Sequence, residues 1–410
     1  MGPSAWWGPP AGRSGKPGDP APDRWPLLQP GQGPIVGHYL PSTPQTVSWG
    51  WIRPAGSTPA LTVAPGAVVT VDTISHEGLL GDQGRDPVAW FAGHGVPAEA
   101  VLSDAVALAA SPISHDQRRD GPHVVTGPIA VTGAEPGDLV TVEVLSLTMR
   151  APYGVVSNRH GRGALAGELP EAIGPGLTVP PVVSRFASVT EAGPFGSVST
   201  AGSPGGGPAG PPGAASRGEP LAWLQGPELA LPVPLRPHLG LVAVAPPQHA
   251  AHSVPPGPHG GNLDVRLLGV GSRLHLPVLA PGALVQIGDP HLAQGDGEVA
   301  LTAVEGPLRA VLRLWVTKGA APPWGLPVGE TPGEWIVLGL HEDLDEAVRV
   351  ATRAALQLVR TRTGADPATA YAWLSAAGDL GVSQVVDGVK GVHFVLPKRW
   401  LDAAVRHPSP

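Results

Sequence analysis

The sequence predicts a mainly β protein, with a β-sandwich or jelly-roll-like body and a smaller C-terminal α+β region. The chain of 410 residues holds 57 glycines and 52 prolines. Proline is excluded from helix interiors and from central strands, so this composition favours many short strands joined by turns. Three segments also begin with Pro-Gly and continue with aliphatic and β-branched residues, at residues 65–73, 136–144 and 281–289. Each is typical of a turn followed by a strand.

Other elements follow from local patterns. RLHLPV at residues 273–278 is typical of a strand and meets the third Pro-Gly unit through a short turn. Apolar residues recur at three- and four-residue spacing from Asp345 to Arg362, which predicts an amphipathic helix that ends at Gly364. A second helix is predicted from Pro367 through Ala376, with Asp366 as its N-cap. The segment VSQVVD that follows is typical of a strand.

These elements divide the chain into three parts. Residues 1–35 are rich in proline and glycine and lack periodicity, which predicts a disordered leader. Residues 36–330 are interpreted as the β-rich catalytic body, interrupted by a Gly/Pro-rich loop at about residues 190–217. Residues 331–410 form the predicted C-terminal α+β region, packed on the body.

Composition excludes several classes of function. The formal net charge is −7, so neither nucleic acid nor an anionic membrane is an expected partner. The absence of cysteine removes disulfides, zinc–thiolate sites and cysteine nucleophiles. The chain begins with no secretory signal pattern, and no apolar run approaches the roughly 20 residues of a membrane helix. The expected location is therefore cytoplasmic.

One segment concentrates polar side chains directly after the third predicted strand. GDPHLAQGDGE, at residues 288–298, contains Asp289, His291, Asp296 and Glu298. Carboxylate oxygen and imidazole nitrogen are the ligands that zinc accepts when thiolates are absent. The alternative interpretation is a hydrated turn whose Asp and Gly residues serve backbone shape.

A second segment, PHGGNLD at residues 258–264, pairs two glycines with polar side chains. His259, Asn262 and Asp264 flank the glycines, whose backbone can approach a ligand closely. Donors placed there could hold an oxyanion. The alternative is a glycine turn capped by Asn and Asp. His123 stands in another glycine-containing segment, and the HEG triplet at residues 76–78 lacks the second histidine of a zincin motif.

The order of these segments resembles the acetamidase/formamidase family. HYLPSTPQTVSWGW, TGPIAVTGAEPGDLVTVEVL, HGGNLD with GSRLHLPV, and GDPHLAQGDGEVALTAVE are similar to family motifs and follow the same order. APYGVVSNRHGRGALAGE and AAGDLGVSQVVDGVKGVHFVLPK resemble the long-chain, acetamidase-like branch. The similarity runs from about His38 to Lys398. Ser75 stands where many shorter members have an acidic residue. The resemblance therefore does not identify the group that this part of the chain contributes to the site.

The resemblance implies an amidohydrolase that cleaves formamide, acetamide and similar short amides to carboxylate and ammonia with a metal-activated water. It implies a divalent metal, with zinc as the expected ion, a small amide as substrate and a homo-oligomeric assembly. The hypothesis assigns Glu298 as general base and acid, and Asn262 and His259 to the catalytic set. The residues that it assigns to the metal are His291, Asp289, Asp264, His123 and Asp296.

A hypothesis from a different class is a non-enzymatic β-sandwich binding module whose acidic loop holds a structural calcium ion. It expects ligation by oxygen alone and no amide turnover.

Overall fold

The computed structural model of the chain describes residues 27–170, 182–189 and 220–404. Within these residues the strands form two large sheets and one two-stranded ribbon, and the two longest helices lie near the C-terminus. The prediction of a mainly β protein is confirmed. Among the described helices, none has both the length and the apolar character needed to cross a bilayer.

The strands vary in length from two to eleven residues. In chain order they are β1 (His38–Leu40), β2 (Val47–Trp49), β3 (Trp51–Ile52), β4 (Leu61–Val63), β5 (Val68–Asp72), β6 (Val124–Val131), β7 (Leu139–Met149), β8 (Tyr153–Arg159), β9 (Val182–Val189), β10 (Leu221–Gln225), β11 (Ala230–Pro234), β12 (His238–Ala243), β13 (Ala251–His252), β14 (Gly260–Asn262), β15 (Arg273–Pro277), β16 (Val285–Ala293), β17 (Val304–Glu305), β18 (Leu308–Thr317), β19 (Val328–Glu330), β20 (Glu334–His341), β21 (Asp379–Gln384) and β22 (Lys390–Pro397). The helices are α1 (Pro87–Ala92), α2 (Ser103–Ala109), α3 (Leu344–Thr363), α4 (Pro367–Ala377) and α5 (Lys398–Asp402).

The two large sheets differ in strand order. The nine-stranded sheet runs β1-β5-β18-β7-β15-β19-β20-β22-β21. The eleven-stranded sheet runs β11-β10-β9-β8-β17-β16-β12-β14, with β6 added on β16 and with β2 and β4 added on β6. Among the described strands only β1–β5 and β4–β6 pair in parallel. Antiparallel strands need only short connections, which suits a chain rich in turn residues.

One hydrophobic core joins the two sheets. Val71 and Val142 of the nine-stranded sheet belong to the same buried cluster as Val242 and Ile287 of the eleven-stranded sheet. Each aliphatic side chain that is fully removed from water stabilises the folded state by about 1.5–3 kcal/mol. The two sheets are therefore packed against each other rather than forming separate bodies.

The three predicted Pro-Gly units all become strands, namely β5, β7 and β16. The first two lie in the nine-stranded sheet and the third in the eleven-stranded sheet. RLHLPV becomes β15, which pairs with β7. Strand β16 is buried at all nine of its positions because neighbours cover both faces. The backbone of β16 therefore holds its side chains in fixed positions.

The predicted C-terminal helices are confirmed. The first is α3, where the Asp343 side chain accepts a hydrogen bond from the Glu346 N–H and Gly364 ends the helix with a φ of 74°. The second is α4, where Asp366 accepts from the N–H groups of Ala368 and Thr369. Alanines of α3 pack on β20 and β22, so these helices cover one end of the nine-stranded sheet.

The strand predicted at VSQVVD, residues 382–387, is shifted in the structure. Strand β21 begins at Asp379 and ends at Gln384, and Asp387 lies in the bend that follows. The Gln384 Oε1 accepts hydrogen bonds from the N–H groups of Val386 and Asp387 at 3.0 and 3.1 Å. These bonds turn the chain away from the sheet, which local hydrophobicity does not reveal.

Most of the predicted leader, residues 1–35, and the Gly/Pro-rich loop at 190–217 lie outside the described residues. The described end of the leader contacts the body. The Leu28 N–H donates to the Arg150 carbonyl oxygen at 2.8 Å, and the Arg150 Nε donates back to the Leu28 carbonyl oxygen at 3.1 Å. Arg309 also donates to the Gln32 carbonyl oxygen.

A buried arginine beneath this contact yields a stability prediction. Arg150 is 0% exposed, and its Nη1 lies 2.7 Å from the Asp104 Oδ2 and 3.0 Å from the Thr73 carbonyl oxygen. Replacing Arg150 with methionine leaves the Asp104 carboxyl buried without its partner. We expect the free energy of unfolding to fall by about 3–5 kcal/mol in urea titrations.

The matched control is Arg273→Met, which removes a half-exposed arginine paired with Glu143. The free energy of unfolding of this variant should fall by no more than about 1 kcal/mol. Equal losses for Arg150→Met and Arg273→Met would contradict the importance given to the buried pair.

Candidate active site

Histidines and carboxylates from distant parts of the chain meet at one buried place. All of these side chains belong to residues that are at most 7% exposed. They form four overlapping groups in which the nearest nitrogen and oxygen atoms lie within 4.8 Å of one another. The members of this site cluster are His76, His123, Asp264, Asp289, His291, Glu298, Glu305 and Asp387.

Strand β16 supplies the centre of the site cluster. Asp289 and His291 are two residues apart, a spacing that places both side chains on one face of a strand. The His291 Nε2 lies 2.8 Å from the Asp289 Oδ2 and 3.1 Å from the Glu305 Oε1. Glu305 reaches this position because β17 pairs with β16 in a register that sets Glu305 opposite His291.

Two histidines approach Asp289 from the other side. His123 directly precedes β6, and its Nε2 lies 3.6 Å from the Asp289 Oδ1. Its Nδ1 is held by the hydroxyl and carbonyl oxygens of Ser253, at 2.9 and 3.1 Å. His76 follows β5, with its Nδ1 4.0 Å from the Asp289 Oδ1 and its Nε2 3.2 Å from the Glu77 Oε1. Each ring therefore has one nitrogen directed to Asp289 and one held by a neighbour.

The remaining carboxylates close the site cluster. The Asp264 Oδ1 lies 3.9 Å from the His291 Nδ1, and the Glu298 Oε1 lies 3.9 Å from the His291 Nε2. Asp264, Glu298 and Asp387 make up one of the four groups. Asp387 comes from the C-terminal region, where its Oδ2 accepts a hydrogen bond from the Asn262 Nδ2 at 3.1 Å. The C-terminal region thus contributes directly to the site.

The same region fixes the loop that carries Glu298. The Gly297 N–H donates to the Ser383 carbonyl oxygen at 3.0 Å, and the Val385 N–H donates to the Gly297 carbonyl oxygen at 3.1 Å. The Gln294 Nε2 donates to the carbonyl oxygens of Asp264 and Ser383 at 2.8 and 3.1 Å. These bonds tie three segments of the site into one unit.

The backbone is strained at three of the carboxylates. Asp264, Asp289 and Glu298 have φ values of 51°, 50° and 46°. Only seven non-glycine residues in the described part of the chain have positive φ. Such conformations cost about 1–3 kcal/mol each and concentrate at functional sites. The strain therefore supports a function for these side chains beyond packing.

Gly240 leaves the space that the site cluster fills. A Cβ built at Gly240 would lie 2.5 Å from the Asp264 Oδ1 and 2.7 Å from the His291 Cε1, and closer still to the Asp289 Oδ2. Gly240 lies on β12, next to β16 in the sheet. Any side chain at this position would displace the carboxylates.

Burial and mutual repulsion perturb the ionisation of these groups. Burial, and then nearby carboxylates, raise the pKa of Asp264 well above its usual range. Burial raises the pKa of Glu298 against the opposing effect of His291. Burial also raises the pKa of Asp387 to about 7. Burial acts on Asp289 in the same direction, but His291 and His123 outweigh it and hold its pKa below the usual range.

The donor set fits a divalent cation. Both carboxylate oxygens of Asp264 and the Asp289 Oδ1 are buried without a hydrogen bond in the described residues. Burial lowers the pKa of His123 to about 4, which keeps its ring neutral, the form that binds metal. Four ligands around zinc stand roughly 3.3–3.6 Å apart. The distances from Asp289 to His123 and His76 are 3.6 and 4.0 Å, so small side-chain movements would suffice.

The site cluster opens into a small cavity. This cavity, which we call the site cavity, has a volume of about 130 Å³ and is lined by Asn262, Asp289, Glu298, Glu305 and Asp387 among others. A larger cavity of about 410 Å³ shares only Glu298 and Thr302 with it and has mostly aliphatic walls. We place the chemistry in the site cavity because its walls carry six of the eight members of the site cluster.

Comparisons with known proteins agree with this geometry. Residues 217–399 match the model of the acetamidase/formamidase family, a range that includes Asp264, Asp289, His291, Glu298 and Asp387. Over this range, which is somewhat less than half of the chain, the protein is similar to the family. An acetamidase from Mycolicibacterium smegmatis is 32% identical over 209 residues, covering 43% of this chain and 49% of the relative. A formamidase from Methylophilus methylotrophus is 32% identical over 199 residues, covering 43% of this chain and 47% of the relative.

A structural comparison extends over more of the chain. The crystal structure of an acetamidase from Bacillus halodurans is 26% identical, covers 89% of this chain and 98% of its own, and superposes with a TM-score of 0.62. In sequence, the chain spans about half the length of the curated relatives that it matches.

Most residues that the family resemblance implied come together in the structure. Asp289, His291, Asp264, His123 and Glu298 all belong to the site cluster. Asn262 lines the site cavity and contacts Asp387.

Two of the implied residues lie outside the site cluster. Asp296 pairs with Arg266 at 2.7 Å, its side chain is 35% exposed, and it belongs to none of the four groups. The expectation that Asp296 binds the metal is corrected, since the loop directs it toward Arg266. His259 also lies outside the four groups, with its Nε2 buried and unpaired in the described residues.

The expected oxyanion donors lie in the segment that contains Gly260 and Asn262. The Gly260 N–H donates to the Gly257 carbonyl oxygen at 2.9 Å, so it is already engaged. Asn262 of the same segment lines the site cavity, where its Nδ2 donates to the Asp387 Oδ2.

Sequence reasoning assigned no role to four residues that shape the site, namely His76, Glu305, Asp387 and Gly240. The HEG triplet is no metal motif by itself, yet its His76 belongs to the site cluster. Glu305 ends a family-like motif but carries no local signal. Asp387 and Gly240 reach the site only through long-range pairing.

Proposed function

We propose that this protein hydrolyses short linear amides to a carboxylate and ammonia, with a divalent ion bound in the site cluster. The observation that carries the proposal is the convergence of buried imidazole and carboxylate groups on one small cavity. Zinc is the proposed ion because three of the four groups contain histidine nitrogen. The same feature disfavours the structural calcium alternative, which expects oxygen ligands alone.

The residues proposed to hold the ion are Asp289 and His291, with His123, His76 or Asp264 completing the set. A bound divalent ion polarises a carbonyl oxygen and lowers the pKa of a water molecule. Each of these side chains is buried, which limits the competition of bulk water for the ligand atoms.

Glu298 is the proposed general base and then general acid. Its carboxyl group lines the site cavity, and its raised pKa suits a group that takes a proton from water and returns it to departing ammonia. Asn262 is proposed to donate a hydrogen bond to the developing oxyanion. Asp387 accepts from the Asn262 amide and so sets its orientation.

Other properties expected from the sequence remain part of the proposal. The homo-oligomeric assembly is supported by the family resemblance, and the cytoplasmic location by the sequence-based expectation alone. The division at residues 35 and 330 is likewise proposed, and the contribution of Asp387 to the site makes the C-terminal part functionally inseparable from the body.

A pair of measurements tests the proposal. Ammonia release from formamide, acetamide and propionamide is measured alongside elemental analysis of the purified protein. We expect turnover together with bound divalent metal, loss of turnover after chelation and dialysis, and recovery when zinc is restored. Undiminished turnover by the stripped protein would refute the metal requirement, and no ammonia from any amide by the metal-loaded protein would refute the activity.

A further inference from the structure

The site cavity has two ends of opposite charge. Its buried end carries Asp289, Glu298, Glu305 and Asp387. Its lining also includes arginines, and those that are exposed to solvent mark the open end of the cavity. The metal chemistry proposed for the buried end does not involve the positive charge of the arginines at the open end.

Two arginines at the open end have no partner among the described residues. Arg118 and Arg162 line the site cavity, are exposed, and have no carboxylate within ion-pair distance in the described part of the chain. Arg159, the third arginine of the lining, is different. Its Nε lies 2.8 Å from the Asp82 Oδ2, and its Nη1 lies 3.6 Å from the Glu77 Oε1.

Asp120, the carboxylate on the same wall, already accepts hydrogen bonds from its neighbours. The Asp120 Oδ1 accepts a hydrogen bond from the Trp51 Nε1 at 2.9 Å, and its Oδ2 accepts from the Asp116 N–H at 2.7 Å. Asp120 therefore does not neutralise the arginines by direct contact.

The turn that carries Arg162 is tied to the Glu298 loop. The Ala164 N–H donates to the Val299 carbonyl oxygen at 2.9 Å, and the Asn158 Nδ2 donates to the Ala300 carbonyl oxygen at 3.1 Å. The position of Arg162 relative to the proposed general base is thus set by the fold.

The turn that carries Arg118 is fixed as well. The Arg118 N–H donates to the Asp116 Oδ1 at 3.0 Å, and the neighbouring Gln117 Oε1 accepts from the Asp82 N–H at 2.9 Å. Asp82 in turn binds Arg159 of the cavity wall. Both free guanidinium groups therefore extend from turns that are anchored beside the site.

We infer that Arg118 and Arg162 bind a carboxylate on the substrate, so that the preferred substrates are half-amides of short dicarboxylic acids. The inference rests on the proposed amidase function and deepens it. The neutral amide end faces the carboxylate-rich site cluster, and the anionic end stays with the arginines. Guanidinium is suited to this role because its planar array of donors matches a carboxylate.

The reaction balances without a further reactant. Water adds to the amide carbonyl carbon, the C–N bond breaks, and ammonia leaves with a proton returned by Glu298. The product is a dicarboxylate whose new anionic end faces the carboxylates of the buried end, and this repulsion favours its release.

The test compares two amides of equal length, butyramide and succinamate, in the metal-loaded full-length protein. The readout is the ratio of kcat/KM for succinamate to kcat/KM for butyramide. We expect the ratio to exceed one in the wild type and to fall roughly tenfold in the double variant Arg118→Gln/Arg162→Gln, as the loss of two partly solvated charge-assisted contacts predicts. Added salt should lower the wild-type ratio, because it screens exposed charges.

Arg119→Gln is the matched control. It removes the same charge from the adjacent residue, which is exposed and does not line the site cavity, so the wild-type ratio should persist. A wild-type preference for butyramide, or an unchanged ratio in the double variant, would overturn the inference while leaving the amidase proposal standing. No turnover of either amide would overturn the inference, and the amidase proposal falls with it only if formamide and acetamide also release no ammonia.

Discussion

Replacing Asp289 with alanine is expected to lower kcat/KM for acetamide by about a thousandfold or more. Asp289 is the one residue shared by the group that contains His76 and His123 and the group that contains Asp264 and His291. Its removal breaks both groups. A bound metal supplies several kcal/mol of charge stabilisation to the transition state, and each 1.4 kcal/mol corresponds to a factor of ten in rate.

The measurement combines steady-state kinetics with elemental analysis of the purified variant. We expect metal content to fall together with activity. Asp296→Ala is the matched control, because Asp296 lies in the same GDPHLAQGDGE segment but pairs with Arg266 at the surface. Loss of activity in Asp296→Ala equal to that in Asp289→Ala would contradict the placement of the site.

Replacing Glu298 with glutamine is expected to lower kcat by about 10²–10⁴-fold, the usual contribution of a general acid–base group. The change keeps the size of the side chain and removes its ability to carry the proton. KM should change little, since the cavity shape is preserved.

Metal content and the urea unfolding midpoint of Glu298→Gln decide between two explanations of a rate loss. Retained metal and a normal midpoint identify a defect in proton transfer. If metal is lost as well, Glu298 is a ligand and its assignment as base is wrong. Turnover close to that of the wild type would remove Glu298 from the mechanism altogether.

Local signals in the sequence were sufficient for much of the fold. Pro-Gly turns followed by β-branched residues identified β5, β7 and β16, and the capping residues Asp366 and Gly364 placed α3 and α4. These features depend on interactions within a few residues, which a sequence displays directly.

The assignment of strands to sheets could not be predicted in this way. β15 and β16 follow each other along the chain but lie in different sheets, and β20 to β22 extend the nine-stranded sheet rather than building their own. Strand partners are chosen by packing over long separations in sequence, for which no local pattern exists.

The site, too, was predictable only where local sequence determines it. The spacing of Asp289 and His291 indicates one face of a strand, and this pair is the centre of the site cluster. Asp296 is an aspartate of the same segment, yet its ion pair with Arg266 directs its side chain away from the site cluster. Asp387 joins from nearly one hundred residues later, through a bend that the Gln384 side chain organises.

Zinc-edge anomalous diffraction from crystals of the zinc-loaded protein tests the central claim most directly. The account predicts an anomalous peak within about 2.0–2.2 Å of Asp289 and of at least one histidine nitrogen of the site cluster. A peak at another position, or none at this cluster under saturating zinc, would contradict it.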